Sequence, residues 1–385
     1  MALDGRIAGH GIGALKDGKP PDETDNANYF CEYAFLYHQM DMLEDEHRTG
    51  AYFNAITWNP ESFKDKVVLD VGAGTCILSM FAAKAGAKEV FAVEATDMAV
   101  RSRKLVQAQG LSHIIKVLQG TVETVTLPSM VDVIISEWMG YFLLRESMLD
   151  SVLIARDRFL KPGGALFPSH ATLFLAPVGS AKACREKQQT FDGERQHFDN
   201  FNCTMMQYYG TDFSCMQEEF LEEQRKYYLQ TGMFVNLAPK QLAGSGSPVL
   251  EIDLSTITLQ DLKDSAKPLR CCMRISRDSQ LEGFTGYFNV TFRGSTQNPV
   301  KEVVELTTAP TTKTATHWGQ QLFGFFPPLQ AKNEDVLECQ LFIKRQKKNH
   351  RLLQLDSAFE LCRESNGKRF VCQKREAVTS RIFRD

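Results

Sequence analysis

From Lys66 onward the chain alternates short apolar runs of strand type with helix-type segments, and near residue 169 this alternation stops. KVVLDVG, EVFAVE, HIIKVLQ and VDVIIS read as strands; ILSMFAAKAG and TDMAVRSRKLVQAQG read as helices, each closed by a glycine. Such alternation specifies a parallel sheet covered by helices on both faces. The KPGG turn at 161–164 is expected to close this domain. Beyond it strand-like runs dominate: ATLFLAPV, VLEIDLSTI, LRCCMRI, GYFNVTF, KEVVELTT, QQLFGFF, VLECQLFIK and RLLQLDSAFEL. Many short strands separated by turn signals indicate a barrel or sandwich. The expected fold class is α/β plus β.

Four segments follow. Residues 1–27, rich in Gly, Asp, Lys and Pro without apolar periodicity, are expected to form a mobile tail. Residues 28–60 suit helices; Met42, Asp45, Arg48 and Tyr52 fall within one helical arc, which a solvated charged face would also explain. Residues 61–168 form the α/β domain and 169–385 the β domain. Residues 183–235, rich in Gln, Phe, Tyr and Met, break the strand pattern with helical sequence. Their aromatics either pack within the monomer or dock on another subunit as an arm.

Composition excludes several classes. Charged residues at 24% and hydrophobic ones at 43% suit a globular chain of 385 residues, and no run is long and apolar enough to span a membrane. A formal charge of −3 argues against a strong nucleic-acid binder. The ten cysteines are scattered, without zinc-type spacing, and read as reduced thiols of a cytoplasmic or nuclear protein. Cys271 and Cys272 are expected on opposite faces of one strand.

The first strand ends in VLDVGAGTC, where Gly72 and Gly74 allow a sharp turn and close ligand approach. Glu94, ending the second strand, can accept hydrogen bonds from ribose hydroxyls. Together they indicate a nucleoside ligand. A dinucleotide fingerprint is not complete here, because Thr75, Cys76 and Ile77 follow the glycines, and S-adenosylmethionine fits better. Glu123 is placed to bind an adenine amino group or is a surface glutamate. Asp70 either supports the cofactor or fixes the glycine turn.

The stretch SEWMGYFLLRESM at 136–148 sets Glu137 and Glu146 among apolar neighbours, where ionised carboxylates need a cation. This stretch, YFCEYAF at 29–35, MLEDEHRT at 42–49, VLDVGAG, Glu94, Glu123 and THWGQ at 316–320 resemble the protein arginine methyltransferases, most nearly their plant-type branch. The resemblance covers the chain from Asn28 to its end. It implies lid helices, a Rossmann-like S-adenosylmethionine-dependent methyltransferase domain, and a β-barrel domain with an inserted dimerisation arm that closes a homodimer.

It also implies roles. Gly72, Gly74, Glu94, Glu123, Asp70 and Arg48 would serve the cofactor, with Arg48 on its methionine carboxylate and Met42 and Tyr33 beside it. Tyr29, Tyr33, Met148 and Trp318 would meet the substrate. Asp45 and His317 would pair between lid and barrel, completing a catalytic set with Glu137 and Glu146. The cation between the glutamates is then a substrate guanidinium, whose planar fork suits carboxylates better than a metal does. Methyl groups would pass from S-adenosylmethionine, leaving S-adenosylhomocysteine, to arginine in Gly/Arg-rich proteins or histone tails. No metal is expected. Met42 and Met148 favour monomethyl and then asymmetric dimethyl products.

Two departures stand out. Cys76 replaces a third glycine and is expected to weaken cofactor affinity, and Gln39 stands where the family commonly has a histidine, with His38 shifted by one. The basic run KRQKKNHR at 344–351 reads as a solvated hairpin, an import signal or a substrate-docking patch. Competing readings are a catalytically weak regulatory partner subunit and a small-molecule methyltransferase.

Overall fold

The computed structural model describes residues 29–31, 33–263, 268–346, 349–365 and 368–382; the expected tail, 1–27, lies outside them. Residues 29–31 are helical, and two further helices follow, α1 (Leu36–Glu44) and α2 (Glu46–Thr57). The single arc expected for Met42, Asp45, Arg48 and Tyr52 is corrected here. Asp45 is extended (ψ 93°) and separates the helices, and its Oδ1 accepts the Arg48 N–H at 3.0 Å. A short acidic side chain gains more by capping an orphan N–H than by sitting inside a helix.

The buried residues of α2, Arg48, Ala51, Tyr52, Ala55 and Ile56, recur at the spacing of one helical face. That face joins the two domains. Tyr52 packs edge-on against Phe292 of the β domain, centroids 4.9 Å apart, and its hydroxyl donates to the Ser136 carbonyl at 2.8 Å. Just beyond α2, Asn59 exchanges two 2.8 Å hydrogen bonds with the Glu302 backbone.

The α/β domain contains β1 (Val67–Val71), α3 (Ile77–Lys84), β2 (Glu89–Glu94), α4 (Met98–Ala108), β3 (Ile115–Gln119), β4 (Val131–Ile135), α5 (Met148–Phe159) and β5 (Leu160–Phe167). Its sheet is parallel, in the order β3-β2-β1-β4-β5. Strand order reverses between β1 and β4, which opens a crevice at the carboxyl ends of the strands. KPGG does not end the sheet as expected. It lies within β5, where the register passes from Val131↔Leu160 to Val133↔Ala165, so the Pro-Gly-Gly sequence bulges out of the ladder it cannot continue.

The barrel region is built from two antiparallel sheets. One holds β6 (His170–Val178), β7 (Met233–Val235), β8 (Ser247–Asp253), β10 (Ser279–Gly294), β11 (Pro299–Thr307) and β12 (Gln320–Ala331); the other holds β9 (Leu269–Arg274), β13 (Val336–Gln346), β14 (Asn349–Ser365) and β15 (Lys368–Ile382). Phe284 on β10 and Phe325 on β12 meet Phe359 on β14 at 4.8 and 5.0 Å, closing the core between the sheets. Cys271 is buried and Cys272 exposed, as strand alternation requires.

The insertion forms α6 (Lys182–Tyr209) and α7 (Gln217–Tyr228). Phe198 packs on Phe220 at 5.1 Å inside this helical pair, whereas Met206, Tyr208 and Tyr209 at its far end are exposed. At its base, Arg185 pairs with the buried Glu282 of β10 at 2.5 Å, and Glu282 also accepts the Ala181 N–H.

Candidate active site

A cavity of about 430 Å³ opens over the carboxyl ends of β1 and β2. Its wall includes Tyr29, Tyr33, Met42, Arg48, Gly72, Gly74, Glu94, Glu123, Glu137, Glu146 and Met148. Residues from the N-terminal segment, the glycine turn, the glutamate loop and β14 therefore converge on one space.

The glycine turn is shaped by close approach. Gly72 (φ +72°) and Gly74 (φ +51°) are left-handed, and a Cβ added at Gly72 would stand 2.8 Å from Met148 Cε, one at Gly74 2.5 Å from Gln39 Oε1. The left-handed backbone calls for glycine at both positions, whereas the flexible ends of Met148 and Gln39 are free to shift. Glu94 fixes the turn: Oε2 accepts the Gly74 N–H at 2.8 Å, and Oε1 accepts the Thr96 N–H and hydroxyl at 2.8 and 2.7 Å. A carboxylate offers about four acceptor positions, so one stays open at Oε2. Binding both ribose hydroxyls, as expected from sequence, would displace a protein donor. Glu123 is exposed at the rim, accepting from Ser151 at 2.8 Å.

Asp70 is buried behind the turn, where Ser79 donates its N–H and hydroxyl to Oδ2 at 3.1 and 2.6 Å. Burial pushes its carboxyl up to about 7, against the Ser79 hydrogen bonds. It is off the cavity wall, which corrects its assignment to the cofactor: Asp70 secures the start of α3. Cys76 adopts a left-handed conformation, φ 66°, the region glycine favours. Its side chain is fully buried, and the wall passes from Thr75 to Ile77 without it. Cys76 therefore strains the backbone without filling cofactor space, and the structure gives no reason for weaker affinity. Gln39, buried over Gly74, donates to the Tyr33 carbonyl at 3.0 Å and occupies the wall instead of His38.

The glutamate loop is unusually strained. Phe142, Leu143, Glu146 and Ser147 all have positive φ without being glycine, at about 1–3 kcal/mol each. Such backbone persists where packing determines it. Phe142 and Leu143 are buried, and the Trp318 indole donates to the Met139 carbonyl at 2.9 Å. Trp318 is itself buried and off the wall, so its expected substrate contact is corrected: it supports the loop from behind.

The cations answering the glutamates come from the chain itself. Arg48 Nε and Nη2 reach Glu137 Oε2 at 3.0 and 2.9 Å, and Glu137 Oε1 accepts the Met139 N–H at 3.2 Å. Glu146 receives Arg145 at 3.1 Å and the Tyr33 hydroxyl at 2.7 Å. Burial raises the Glu146 carboxyl above its ordinary range; Arg145, the Tyr33 hydroxyl and Arg351 oppose this, and Glu137 adds to it. Burial likewise raises the phenols of Tyr29 and Tyr33.

His317 donates its backbone N–H to Asp45 Oδ2 at 2.9 Å, with Nδ1 at 2.7 Å from the same oxygen. Burial opposes the ionised form of Asp45, but hydrogen bonds from His317 and the Arg48 N–H hold its carboxyl down at about 2. The expected pair is present, yet neither residue lines the cavity. Asp45 caps α2 ahead of Arg48, and His317 holds that carboxylate from the β-domain side.

Sequence reasoning missed Arg145, although it directly precedes Glu146, and it missed His350 and Arg351, which reach the wall from β14. Their signal was the basic run at 344–351, of which His350 and Arg351 meet the glutamate loop and Arg345 the start of α5. Away from the cavity, Glu338, Glu360 and Cys362 stand close enough to share a metal ion, but Glu360 pairs with Lys374 at 2.6 Å and Glu338 with Arg369.

The glycine turn, Glu94 and the open cavity fit a nucleoside-bearing methyl donor, and comparisons with known proteins agree. A family model described as the arginine methyltransferase oligomerization subdomain matches residues 170–364, and one described as a methyltransferase domain matches 68–164. The chain is 46% identical to protein arginine N-methyltransferase PRMT10 of Arabidopsis thaliana over 95% of its own length and 94% of the relative's. It is 43% identical to PRMT10 of Oryza sativa subsp. japonica, over 94% and 93%. Among solved structures, Arabidopsis protein arginine methyltransferase 10, crystallised in an open conformation, superposes with a TM-score of 0.87 at 44% identity, covering 92% of this chain and 99% of that one. The Trypanosoma brucei PRMT1 enzyme-prozyme heterotetrameric complex with AdoHcy gives 0.74 at 30%, covering 91% and 100%.

Proposed function

We propose that this chain, which belongs to the protein arginine N-methyltransferases and is an S-adenosylmethionine-dependent enzyme of that activity, makes monomethyl and then ω-NG,NG-asymmetric dimethylarginine. The observation that carries this reading is the placement of Glu137 and Glu146 on one cavity wall with Met42 and Met148. S-adenosylmethionine supplies a sulfonium-bound methyl group. Glu137 and Glu146 bind the guanidinium N–H groups and draw positive charge toward the nitrogens they hold, leaving more lone-pair character on the attacking nitrogen. As the new N–C bond forms and the S–C bond breaks, one guanidinium proton is released. Glu146, whose carboxyl burial holds high, is suited to receive it.

Around this centre, Gly72, Gly74, Glu94 and Glu123 serve the nucleoside, and Arg48 the methionine carboxylate. Tyr29 and Tyr33 border the arginine. No metal is needed, because the two glutamates already face arginines. Unbranched Met42 and Met148 leave room for a second methyl on the same nitrogen. The substrates are Gly/Arg-rich proteins or histone tails, not nucleic acid, and the exposed aromatics of the α6–α7 arm close a homodimer. Location in the cytoplasm or nucleus belongs to the same reading and is supported by ten free cysteines; no helix among the described residues is long and apolar enough to cross a membrane.

The test is amino-acid analysis of a Gly/Arg-rich peptide methylated by the parent and by Met42→Phe. Asymmetric dimethylarginine from the parent, with a shift toward monomethyl or symmetric product in the variant, is expected. An unchanged asymmetric product from Met42→Phe would remove Met42 from product control, and a symmetric product from the parent would overturn the assignment.

A further inference from the structure

The glutamate loop is held from the β domain by one hairpin. Glu146 N–H donates to the Arg351 carbonyl at 2.8 Å and Arg351 Nη1 donates back to the Glu146 carbonyl at 2.7 Å. Ser147 Oγ donates to the His350 carbonyl at 2.8 Å. One turn further on, Arg345 of β13 binds Asp150 at the start of α5 with both terminal nitrogens, at 2.6 and 2.7 Å. The two left-handed residues that aim the Glu146 side chain are thus pinned by β13 and β14.

The same guanidinium reaches the N-terminal segment. Arg351 Cζ lies 3.9 Å from the Tyr29 ring centroid and 5.6 Å from that of Phe30. Tyr29 packs on Tyr33 at 4.9 Å, and Tyr33 donates to Glu146. A circuit results: β14 to Tyr29, Tyr29 to Tyr33, Tyr33 to Glu146, and Glu146 back to β14. Arginine suits this junction because its planar face stacks while its edge donates.

From this geometry we propose that Arg351 is a positioning residue that fastens the N-terminal lid and the Glu146 carboxylate into one unit from the β-domain side. Arg351 acts through these contacts: it sets where Glu146 points and whether Tyr29 and Tyr33 stay packed over the cavity. Its charge also favours ionised Glu146. The groups acting on that carboxylate are Tyr29 and Tyr33 from the lid, Glu137 and Arg145 from its own loop, and Arg351 from β14, with His350 on the same cavity wall. Deleting one of the two cations that favour ionisation moves the Glu146 carboxyl further up.

The inference rests on the role proposed for Glu146, so Glu146→Gln is assayed beside Arg351→Leu and Arg351→Lys in the full-length protein. Arg351→Leu is expected to lower kcat about tenfold, to move the acidic limb of its pH profile upward by about half a unit or more, and to speed amide exchange over residues 29–44. Arg351→Lys restores the acidic limb but not the exchange protection, since it keeps charge without the stacking plane. A parental pH profile and parental lid exchange in Arg351→Leu would overturn the inference even if its Tm falls. If Arg351→Leu does not fold, parental lid exchange in Arg351→Lys overturns it. Parental activity in Glu146→Gln would instead overturn the carboxylate role itself.

Discussion

Arg48 and Glu137 form a buried ion pair across the cavity, with Nε and Nη2 of the arginine converging on one carboxylate oxygen at 3.0 and 2.9 Å. Their side chains are 9% and 11% exposed, so solvent screens the pair little. In the proposed reaction Arg48 serves the methionine carboxylate and Glu137 the substrate guanidinium. Each residue here takes the place of the other's ligand, and two binding events draw on the same two charges.

Removing one partner of such a pair leaves a buried charge unanswered. Arg48→Ala is expected to destabilise the fold by about 3 kcal/mol, and adding Glu137→Gln to regain at least about 1 kcal/mol. Urea melts of both variants check this; strictly additive losses would contradict the pairing. Calorimetry should also show cofactor binding weakened at least about tenfold in Arg48→Ala.

Asp45 ties pH to the lid. Its carboxyl lies at about 2 in the fold, below the ordinary 3.8, so the stability it adds is present above about pH 4 and is lost as pH falls through about 2. Asp45→Asn should be less stable than the parent at pH 6 by on the order of 1–2 kcal/mol, with the gap closing toward pH 2. A gap independent of pH would show that shape, not charge, holds α2.

Cys76 makes a sharper case. Its left-handed backbone is strained, but the thiol is buried away from the cavity. Cys76→Gly should leave cofactor affinity within about threefold of the parent while altering thermal stability. A tenfold gain in affinity would restore the expectation drawn from sequence alone.

In the α/β domain β1 to β4, α3 and α4 were legible from their apolar patterns and the closing glycines of the two helices, whereas α5 and β5 escaped, the one following directly on the glutamate loop and the other interrupted by KPGG. The glutamate pair and the glycine turn were legible because their residue types are costly anywhere else. Asp45 was misplaced because helical periodicity runs through Met42 to Tyr52 regardless of one capping residue. β15 escaped because Lys368, Arg369, Gln373, Lys374 and Arg375 break up the apolar run on what is an edge strand. Arg351 escaped for a different reason: its partners, Tyr29 and Glu146, lie far away in sequence, and only the tertiary fold brings them to it.

Whether Glu137 and Glu146 grip the arginine undergoing methylation is decided by single-turnover methyl transfer to a Gly/Arg-rich peptide by the parent, Glu137→Gln and Glu146→Gln, with cofactor affinity measured on the same samples. A rate at least about 100-fold lower is expected in each variant, with Glu146→Gln binding cofactor within about threefold of the parent. Near-parental rates in either variant, with the fold intact, would contradict that grip.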